Sequence, residues 1–506
     1  MRKFLSTAII LSLCLNLNAQ MIFDAVRFSN NSIINGSARY MGMAGSFGAL
    51  GGDVTASIDN PATLGIFRSS EASVSLGFSP IITTGNWKGN RLSISTTPFN
   101  FNNVAWVFNI PTYKTSGYLS TNLSFSYHKV KDFNRRVHLQ SNSNSVVSLT
   151  DLMAGYLNRE TGKIFEEDLI NRNAYDDIRL DWISILGYDA YLIDPVYDEN
   201  DEHTGKWVSI LDPKEKILPA YRAIERGNIS DYNFTYSGNV NDRVYFGAGI
   251  SMQSVSYSIS SVYSEDFPNN RDYFDLRNNF STSGFGVNLK FGAIFRATDF
   301  MRIGLSFQTP TWYSMRDWHV ADLKYSENRN EVSTPEADYW YQLSTPLKAQ
   351  ASVGFIIGGR AAINVDYQFS DKHYSMSDDF MNYKVDKNND AKYLHTVKLG
   401  AELRLGNNFK VRGGGAFISA PINQDAKKIY LYPTTRTDLE YFITKNTCYG
   451  TFGIGYAKNG FSLDFAYVYQ QQNQKFYAFP TEGYDDLGAK LKTQRHHIVA
   501  TMAFRY

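Results

Sequence analysis

Apolar and polar residues alternate with a period of two along most of this sequence, and the apolar positions are unusually aromatic. Every second residue from Phe461 to Tyr469 is Phe, Leu or Tyr, whereas the other face carries Ser462, Asp464, Ala466, Val468 and Gln470. The same pattern recurs in residues 363–369 and 397–405. A period of two is typical of strands that have one apolar and one polar face. The sequence therefore predicts an all-β protein.

The direction in which the apolar faces point separates a soluble sandwich from a membrane barrel. In a sandwich they form the core, whereas in a membrane barrel they face lipid and the polar faces line the lumen. The last strand alternates and ends on Tyr506, which resembles the assembly signal of outer-membrane proteins. Short turns alternate with long loops, as in outer-membrane barrels. These features favour an antiparallel transmembrane β-barrel.

Strand-like segments between residues 71 and 506 number about fourteen, an even count. Short turns are expected near residues 111–114, 241, 297–300, 358–359, 406–408 and 457–460. The longest connection runs from 131 to 228, so the fourth strand is expected to begin at 229. We interpret 71–506 as the barrel and 131–228 as a long extracellular loop with helical segments.

The first residues have the pattern of a secretory signal peptide. Arg2 and Lys3 precede an apolar run that ends before Ala19, which predicts a signal peptide over residues 1–19. A lipoprotein signal at Cys14 is disfavoured, because Leu13 is larger than the residue that such processing normally needs. After cleavage Cys448 stands alone, so no internal disulfide is expected.

Composition and motifs argue against several functions. Lys plus Arg (50) and Asp plus Glu (49) nearly cancel, so the chain lacks the basic excess of a nucleic-acid binder. His496 and His497 are neighbours on a strand and point to opposite faces. No histidine pair has the spacing of a zinc site, and Cys448 has no haem-attachment context. We therefore expect no enzyme, no cofactor and no metal.

Residues 20–70 do not alternate and are rich in glycine. The best local signal is Asn60-Pro61-Ala62-Thr63-Leu64-Gly65, in which Asn60 caps a short helix, Pro61 suits its first turn and Gly65 ends it. The segment is interpreted as a compact irregular insert that precedes the barrel.

Several short motifs in the same order resemble the FadL/TodX family of long-chain fatty-acid transport porins. They are residues 38–45, Gly48-Ala49, Asp53 and Asn60-Pro61-Ala62 in the leader, then 304–310, 412–416 and 453–456 in the barrel. The resemblance implies a monomeric fourteen-stranded barrel in the outer membrane of a Gram-negative-type bacterium. It also implies that residues 20–70 form a hatch, or plug, in the lumen.

The resemblance further implies passive uptake of a hydrophobic small molecule, a fatty acid or an aromatic compound. The ligand would be caught at outer loops, enter a pocket near the hatch and leave into outer-membrane lipid beside a kinked third strand. Asn60, Pro61 and Ala62 would position the plug, which is either movable or rigid. Phe23 and Phe28 would border the pocket, unless the mature N-terminus is disordered.

The long loop departs from the family, because it lies between the third and fourth strands. After Ser148 and Asp151, a capping-box pattern, Leu152, Met153 and Tyr156 fall at helical spacing. A second stripe with helical spacing covers residues 217–224. Either stripe lines a capture groove or packs within the loop.

The predicted lumen also contains charged residues, which are candidates for binding a polar head group. Arg412 faces the lumen and meets a carboxylate head group or, alternatively, belongs to a salt-bridged ladder.

Two other functions remain open. In the first, the barrel is a docking or carrier component of a protein secretion system, as some relatives of this shape are, with an envelope protein as partner. A clear tunnel favours transport, and a lumen blocked by side chains favours docking. A surface enzyme would need a cluster of catalytic groups that the sequence does not display.

Overall fold

The computed structural model describes residues 21–29, 34–142, 145, 147–159, 163–170, 172–175, 180–212, 215–268, 272–327, 331–377, 382–384, 390–428, 436–480 and 488–506. The predicted signal peptide and its cleavage site at Ala19 lie outside the described residues.

Fourteen antiparallel strands form a closed barrel, as the sequence predicts. Each strand pairs with its neighbours along the chain, and β14 pairs with β1 to close the wall. Short breaks interrupt the first three strands, the seventh and the eighth. The strands are β1 (Glu71–Phe78, Ile81–Trp87), β2 (Asn90–Thr96, Phe99–Pro111), β3 (Tyr118–Asp132, Arg135–Gln140), β4 (Leu218–Val240), β5 (Val244–Phe267), β6 (Asp272–Arg296), β7 (Met301–Gln308, Trp312–Tyr325), β8 (Ala337–Ser344, Lys348–Ile357), β9 (Ala361–Ser370), β10 (Leu394–Leu405), β11 (Phe409–Ile418), β12 (Tyr441–Lys458), β13 (Phe461–Tyr477) and β14 (Ala489–Arg505).

The alternation of the sequence becomes the inside and outside of the barrel wall. In β13, Phe465 and Tyr467 are exposed on the outer face, whereas Asp464 and Val468 are buried on the inner face. The same holds in β10, where Leu399 is exposed and Lys398 is buried. An apolar outer belt with buried polar groups inside is the arrangement of a membrane-spanning barrel.

The fourth strand begins earlier than expected. β4 starts at Leu218 rather than at 229, so the second predicted helix, over residues 217–224, is wrong. The spacing of Tyr221, Ala223 and Glu225 also fits a period of two, and these residues face inward in a ladder with β5. A proline near the start of a strand, here Pro219, is tolerated. Since β3 also continues to Gln140, the long loop covers residues 141–217 and is shorter than the predicted range of 131–228.

The described residues between 141 and 217 form a lid over one end of the barrel, which we call the long-loop end; the opposite end is the short-turn end. The lid contains α3 (Leu149–Leu157), α4 (Glu166–Leu169), α5 (Trp182–Asp189) and a two-stranded sheet (Ile193–Tyr197, His203–Ser209). Its core includes Trp182 and Trp207, which are 0% and 2% exposed. None of the described helices is long and apolar enough to cross a membrane.

The segment before β1 lies inside the barrel as two bodies. The helix α1 (Met21–Ser29) lies near the long-loop end, against residues of the lumen and the loops. The hatch, residues 34–70, contains α2 (Ala38–Gly42) and two 3-10 helices (Val54–Ile58, Pro61–Ile66). Together they form the plug.

Candidate functional site

The hatch is organised by capping side chains. Asn60 Oδ1 accepts the Ala62 amide at 3.1 Å and thereby caps the helix that starts at Pro61. Asn60 Nδ2 donates to the Gly48 carbonyl at 2.7 Å, which ties this helix to the preceding turn. Asp53 caps the other 3-10 helix and accepts the Ser37 hydroxyl at 2.6 Å. The predicted cap at Asn60 and the first-turn position of Pro61 are confirmed.

Gly65 has a different role from the one predicted. The helix continues to Ile66, and Gly65 does not adopt a positive φ, so it does not end the helix. A side chain at Gly65 would come within 3.0 Å of the Gly238 carbonyl on β4. The residue is small because the hatch touches the wall there.

Glycines of the barrel wall receive the hatch in the same way. A Cβ on Gly247 would come within 3.0 Å of Pro61, one on Gly292 would meet the Asn60 side chain, and one on Gly304 would meet the Gly48 carbonyl. Such distances are shorter than real side chains allow, so these wall positions are seats for the plug backbone.

Ion pairs hold the hatch to the opposite part of the wall. Lys398 Nζ lies 2.7 Å from Asp59 Oδ2, and Arg39 Nε lies 3.0 Å from Glu402 Oε2. Burial alone raises the pKa of Asp59, but the charge and hydrogen bond of Lys398 outweigh it and hold that pKa below its usual range. In this arrangement the hatch is fastened on several sides.

Arg412 belongs to the same network. Its Nε lies 2.6 Å from Glu402 Oε2 and its Nη1 lies 2.5 Å from Asp464 Oδ1, and its side chain is 1% exposed. Arg412 lines a cavity of about 200 Å³ at the short-turn end, together with Arg39 and Lys458. The structure therefore places Arg412 in a salt-bridged ladder beneath the hatch, away from the other predicted ligand residues.

Phe23 and Phe28 lie on α1, inside the lumen. Phe28 is 1% exposed and its ring lies 6.0 Å from the rings of both Phe133 and Tyr257. Phe23 packs on Tyr441 with a centroid distance of 5.1 Å. On the polar side of α1, Asp24 Oδ2 lies 2.8 Å from Arg436 Nη1. The described part of the N-terminus is therefore ordered by contacts within the barrel.

Leu152, Met153 and Tyr156 lie on α3 in the lid, far along the chain from α1. The predicted capping box of Ser148 and Asp151 is confirmed. Met153 and Tyr156 are 0% and 8% exposed and pack in the lid core, while Leu152 is half-buried. Packing within the lid accounts for this stripe, and its role in ligand capture stays a prediction.

A cavity beneath the lid, which we call the upper cavity, is bordered by α1 and the bend of β3. Its volume is about 100 Å³, and Phe23 is the predicted site residue that lines it. Sequence reasoning missed its cationic residues, Arg27, Lys131, Arg135 and Arg495. A second cavity of about 90 Å³ lies lower, between the hatch and Lys348 and Lys398.

The wall is incompletely hydrogen-bonded between β2 and β3, both of which lie wholly within the described residues. Their ladder runs from the pair Pro111–Ser120 to the pair Asn103–His128 and then ends. Beyond it, residues 90–102 pair with β1 alone and residues 129–140 pair with β4 alone. We call residues 99–102 and 129–132 the seam.

Side chains span the seam where the backbone does not. Lys129 Nζ donates to Asn100 Oδ1 at 2.6 Å, and Asn35 of the hatch donates to the Lys129 carbonyl at 2.8 Å. Above the seam, β3 breaks at Phe133-Asn134 before it resumes at Arg135. The seam therefore connects the hatch, the bend of β3 and the lower edge of the upper cavity.

Among the described residues, no group of three or more His, Cys, Asp and Glu side chains is placed to hold a metal ion.

Comparisons with known proteins identify the fold. No protein-family model and no curated protein sequence matches the chain. Two solved structures are similar over nearly their whole length. A FadL homologue of Pseudomonas aeruginosa is 12% identical with a TM-score of 0.51, and the match covers 94% of this chain and 99% of that one. The toluene transporter TodX of P. putida is 9% identical with a TM-score of 0.52, covering 94% and 99%.

At such identities the likeness concerns the three-dimensional fold, and it agrees with the resemblance found in the sequence motifs. The fourteen-stranded wall, the apolar outer belt and the internal N-terminal segment all match this architecture. The chain therefore has the fold of these solved structures, a closed fourteen-stranded β-barrel with its N-terminal segment inside the lumen.

Proposed function

We propose that this barrel, acting as a monomer, carries hydrophobic small molecules, long-chain fatty acids or aromatic compounds, passively across the outer membrane. In this proposal a ligand enters beneath the lid, passes the upper cavity near Phe23 and Phe28, and leaves sideways through the seam. The fold shared with a toluene transporter supports the class of molecule. The chain has no catalytic role in the proposal.

The seam is the observation that carries the proposal. Unpaired backbone within a bilayer is tolerated where it is covered by protein or lines a cavity. Here the cover consists of side-chain hydrogen bonds from Lys129 and Asn35 instead of a ladder. Opening the wall at the seam therefore requires the loss of a few side-chain contacts, whereas opening it between β2 and β3 along residues 103–111 requires the loss of backbone pairs.

The surroundings of the seam suit an apolar ligand that moves into lipid. Phe99 and Phe101 of β2 are 58% and 40% exposed on the outer wall. A ligand that moves directly from the barrel to the bilayer avoids exposing its apolar surface to water, which would cost about 0.8 kcal/mol per CH₂ group. The hatch contributes to this step because Asn35 must leave the Lys129 carbonyl for the seam to widen.

A cross-link across the seam tests the proposal. In a Cys448→Ser background, Asn100→Cys and Lys129→Cys are joined by a short bis-maleimide, and uptake of labelled toluene or fatty acid into proteoliposomes is measured. We expect the cross-link to abolish uptake. As a control, Val107→Cys and Ser124→Cys join the same two strands where the ladder is intact, and this link should leave uptake unchanged. Equal uptake with the seam open and linked would contradict the lateral route.

A second candidate function is docking of envelope proteins. It is favoured by the small size of the upper cavity and of the cavity below it, about 100 and 90 Å³, and by exposed aromatic residues of the lid such as Phe165 and Tyr197. A barrel that transports none of the probes but copurifies in constant ratio with one envelope protein, and loses it when Phe165 and Tyr197 are changed to Ser, would favour this function.

A further inference from the structure

We infer that the outer wall beyond the apolar belt, on the side formed by β14 and β1–β4, binds the phosphate-bearing head groups of anionic lipids. The inference goes beyond the proposed function and shares with it only the placement of the barrel in the outer membrane. It rests on six basic side chains, which we call the cationic face: Arg91 of β2, Arg136 of β3, Arg222 and Arg226 of β4, and Lys490 and Lys492 of β14.

Alternation along the strands places the cationic face on the outside of the barrel. In β3, Arg135 is buried on the inner side, where it pairs with Glu225, whereas Arg136 is exposed. In β4, Arg222 and Arg226 are exposed at positions that alternate with buried ones. Since successive side chains of a strand point to opposite faces, these arginines point away from the lumen.

The strand register makes the basic residues neighbours. Lys490 of β14 and Arg91 of β2 both pair with Asn86 of β1, from its two sides. Adjacent strands lie about 4.8 Å apart, so the backbones of Lys490 and Arg91 are about 10 Å apart. Asn90 Nδ2 donates to the Gln140 carbonyl at 2.9 Å, which holds the tip of the β1–β2 hairpin against the end of β3. The basic residues therefore share one side of the wall.

The cationic face lies just beyond the apolar belt, toward the long-loop end. On β4, Arg226 follows the exposed ring of Tyr232 at a distance of six residues, which is about 14 Å of height for a strand tilted by about 45°. At the same level, β5 changes from Met252, the partner of Tyr232, to outward serines such as Ser256 and Ser258. Long basic side chains reach back toward a membrane with their charged ends. Their charges therefore lie at the head-group layer.

The basic groups of this face have no ion-pair partner. None of the six forms an ion pair or a side-chain hydrogen bond within the described part of the chain. Beyond the belt, the described outward positions of β14 and β1–β4 carry no Asp or Glu. The next strand, β5, contributes the outward carboxylate Asp266, which attracts Arg222 without forming an ion pair. Most of the positive charge of the face is thus left without a counter-charge from the protein.

The outward basic residues of β6 and β7 are arranged differently. Arg316 Nη2 lies 2.8 Å from Asp338 Oδ2, and Arg277 Nη1 lies 2.8 Å from Glu331 Oε1. These arginines are neutralised by carboxylates of the protein itself. The excess of unpaired positive charge is therefore a property of the β14–β4 side and not of β6 and β7.

A lipid is the anionic partner that lies beside the wall at this height. Basic clusters at a membrane surface attract anionic head groups, and guanidinium groups bind phosphate oxygens through parallel N–H donors. The outward serines of β5 add hydroxyl donors next to Arg226. Long loops of such barrels face the outside of the cell, so the lipid belongs to the outer leaflet.

Native mass spectrometry of the full barrel in a mild detergent tests the inference. Dioleoyl phosphatidic acid is the anionic probe, and dioleoylglycerol has the same chains without the phosphate. We expect phosphatidic acid to bind at least tenfold more tightly, because each basic side chain near an anionic lipid contributes about a fivefold gain in affinity. Excess inorganic phosphate should leave this binding unchanged, since the partner is a lipid. This comparison uses the unaltered protein, so it does not depend on the folding of any variant.

A charge-removing variant then locates the site. Arg136→Gln, Arg222→Gln and Arg226→Gln together should weaken phosphatidic acid binding at least tenfold and leave dioleoylglycerol binding unchanged. The matched control removes three outward basic residues of β6 and β7 through Arg277→Gln, Arg316→Gln and Lys324→Gln. It should bind both lipids as the unaltered protein does.

Four results would overturn the inference: equal affinity for the two lipids, displacement of phosphatidic acid by inorganic phosphate, full affinity in the folded variant of the cationic face, or an equal loss in the control. The proposed function fails separately. If the seam cross-link blocks toluene uptake but phosphatidic acid binds no better than dioleoylglycerol, transport stands and the lipid site is wrong. If the cross-link has no effect but the lipid preference is seen, the lipid site stands without the lateral route.

Discussion

Replacing Asn60 should loosen the hatch without loosening the barrel. Its side chain is 1% exposed and makes two hydrogen bonds, to the Ala62 amide at 3.1 Å and to the Gly48 carbonyl at 2.7 Å. Loss of a helix cap costs about 0.5–2 kcal/mol, and a buried carbonyl without its donor costs about 1–3 kcal/mol. We therefore expect Asn60→Ala to lower the free energy of local hatch opening by roughly 2–4 kcal/mol.

Amide hydrogen exchange by mass spectrometry measures this change where it occurs. An opening free energy lower by 2–4 kcal/mol corresponds to exchange that is faster by roughly 30- to 1000-fold. The acceleration should appear in peptides that cover the hatch and should not appear in β5 or β6. Asn60→Ser keeps an acceptor for the Ala62 amide but loses the donor to Gly48, so it should give an intermediate rate.

A control variant separates the hatch effect from a general effect of removing an asparagine cap. Asn86 accepts the Gly89 amide at 3.2 Å in an exposed turn of the first hairpin, so Asn86→Ala should leave hatch exchange unchanged. The reasoning would be refuted if Asn60→Ala accelerated hatch exchange less than about threefold, equivalent to under 1 kcal/mol, or if β5 accelerated as much as the hatch.

Two further predictions follow from the plug seats and from the lid. Gly292→Ala should lower the thermal midpoint of the barrel, because the added methyl group meets the Asn60 side chain at a cost of about 1–3 kcal/mol. Gly450→Ala should be neutral, because no atom lies within 4 Å of the added carbon. Equal midpoints of the two variants by circular dichroism would contradict the close contact between Gly292 and the hatch. In the lid, burial raises the pKa of Asp181 to about 7, partly offset by Arg159. The folded lid therefore binds an extra proton between the ordinary Asp pKa and pH 7, and its stability should fall as the pH rises through that window. Asp181→Asn should remove this dependence, as followed by exchange of the α5 amides, and a pH profile identical in both proteins would contradict it.

The wall of the barrel was predictable from sequence because lipid and lumen select opposite residues at every second position. The start of β4 was missed because Tyr221 and Ile224 are three residues apart, a spacing that also occurs on helices. Pairing with β5 makes residues 218–228 part of a strand, and this pairing is not visible in the local sequence. The cap at Asn60 was predictable, since it depends on neighbours in sequence.

The site was less predictable, because its residues come together only when the barrel closes. Arg495 and Lys131 are separated by most of the chain, and nothing in the local sequence of either marks a cavity. Arg412 has the same local appearance as Arg495, a basic residue on the inner face. The carboxylates that pair with the two arginines, Glu402 and Asp464 for Arg412 and Asp132 for Arg495, belong to other strands.

The contacts of the plug impose an order on assembly. The Ala38 amide donates to Thr501 Oγ1 in the last strand, 463 residues away, and Thr451 Oγ1 donates to the Gly42 carbonyl. Contacts between such distant residues form slowly, because the intervening chain must first be ordered. The hatch precedes the wall in the sequence, yet its contact with Thr501 can form only when β14 is in place. The hatch becomes sealed in its seat only by the strand pairing that completes the cylinder.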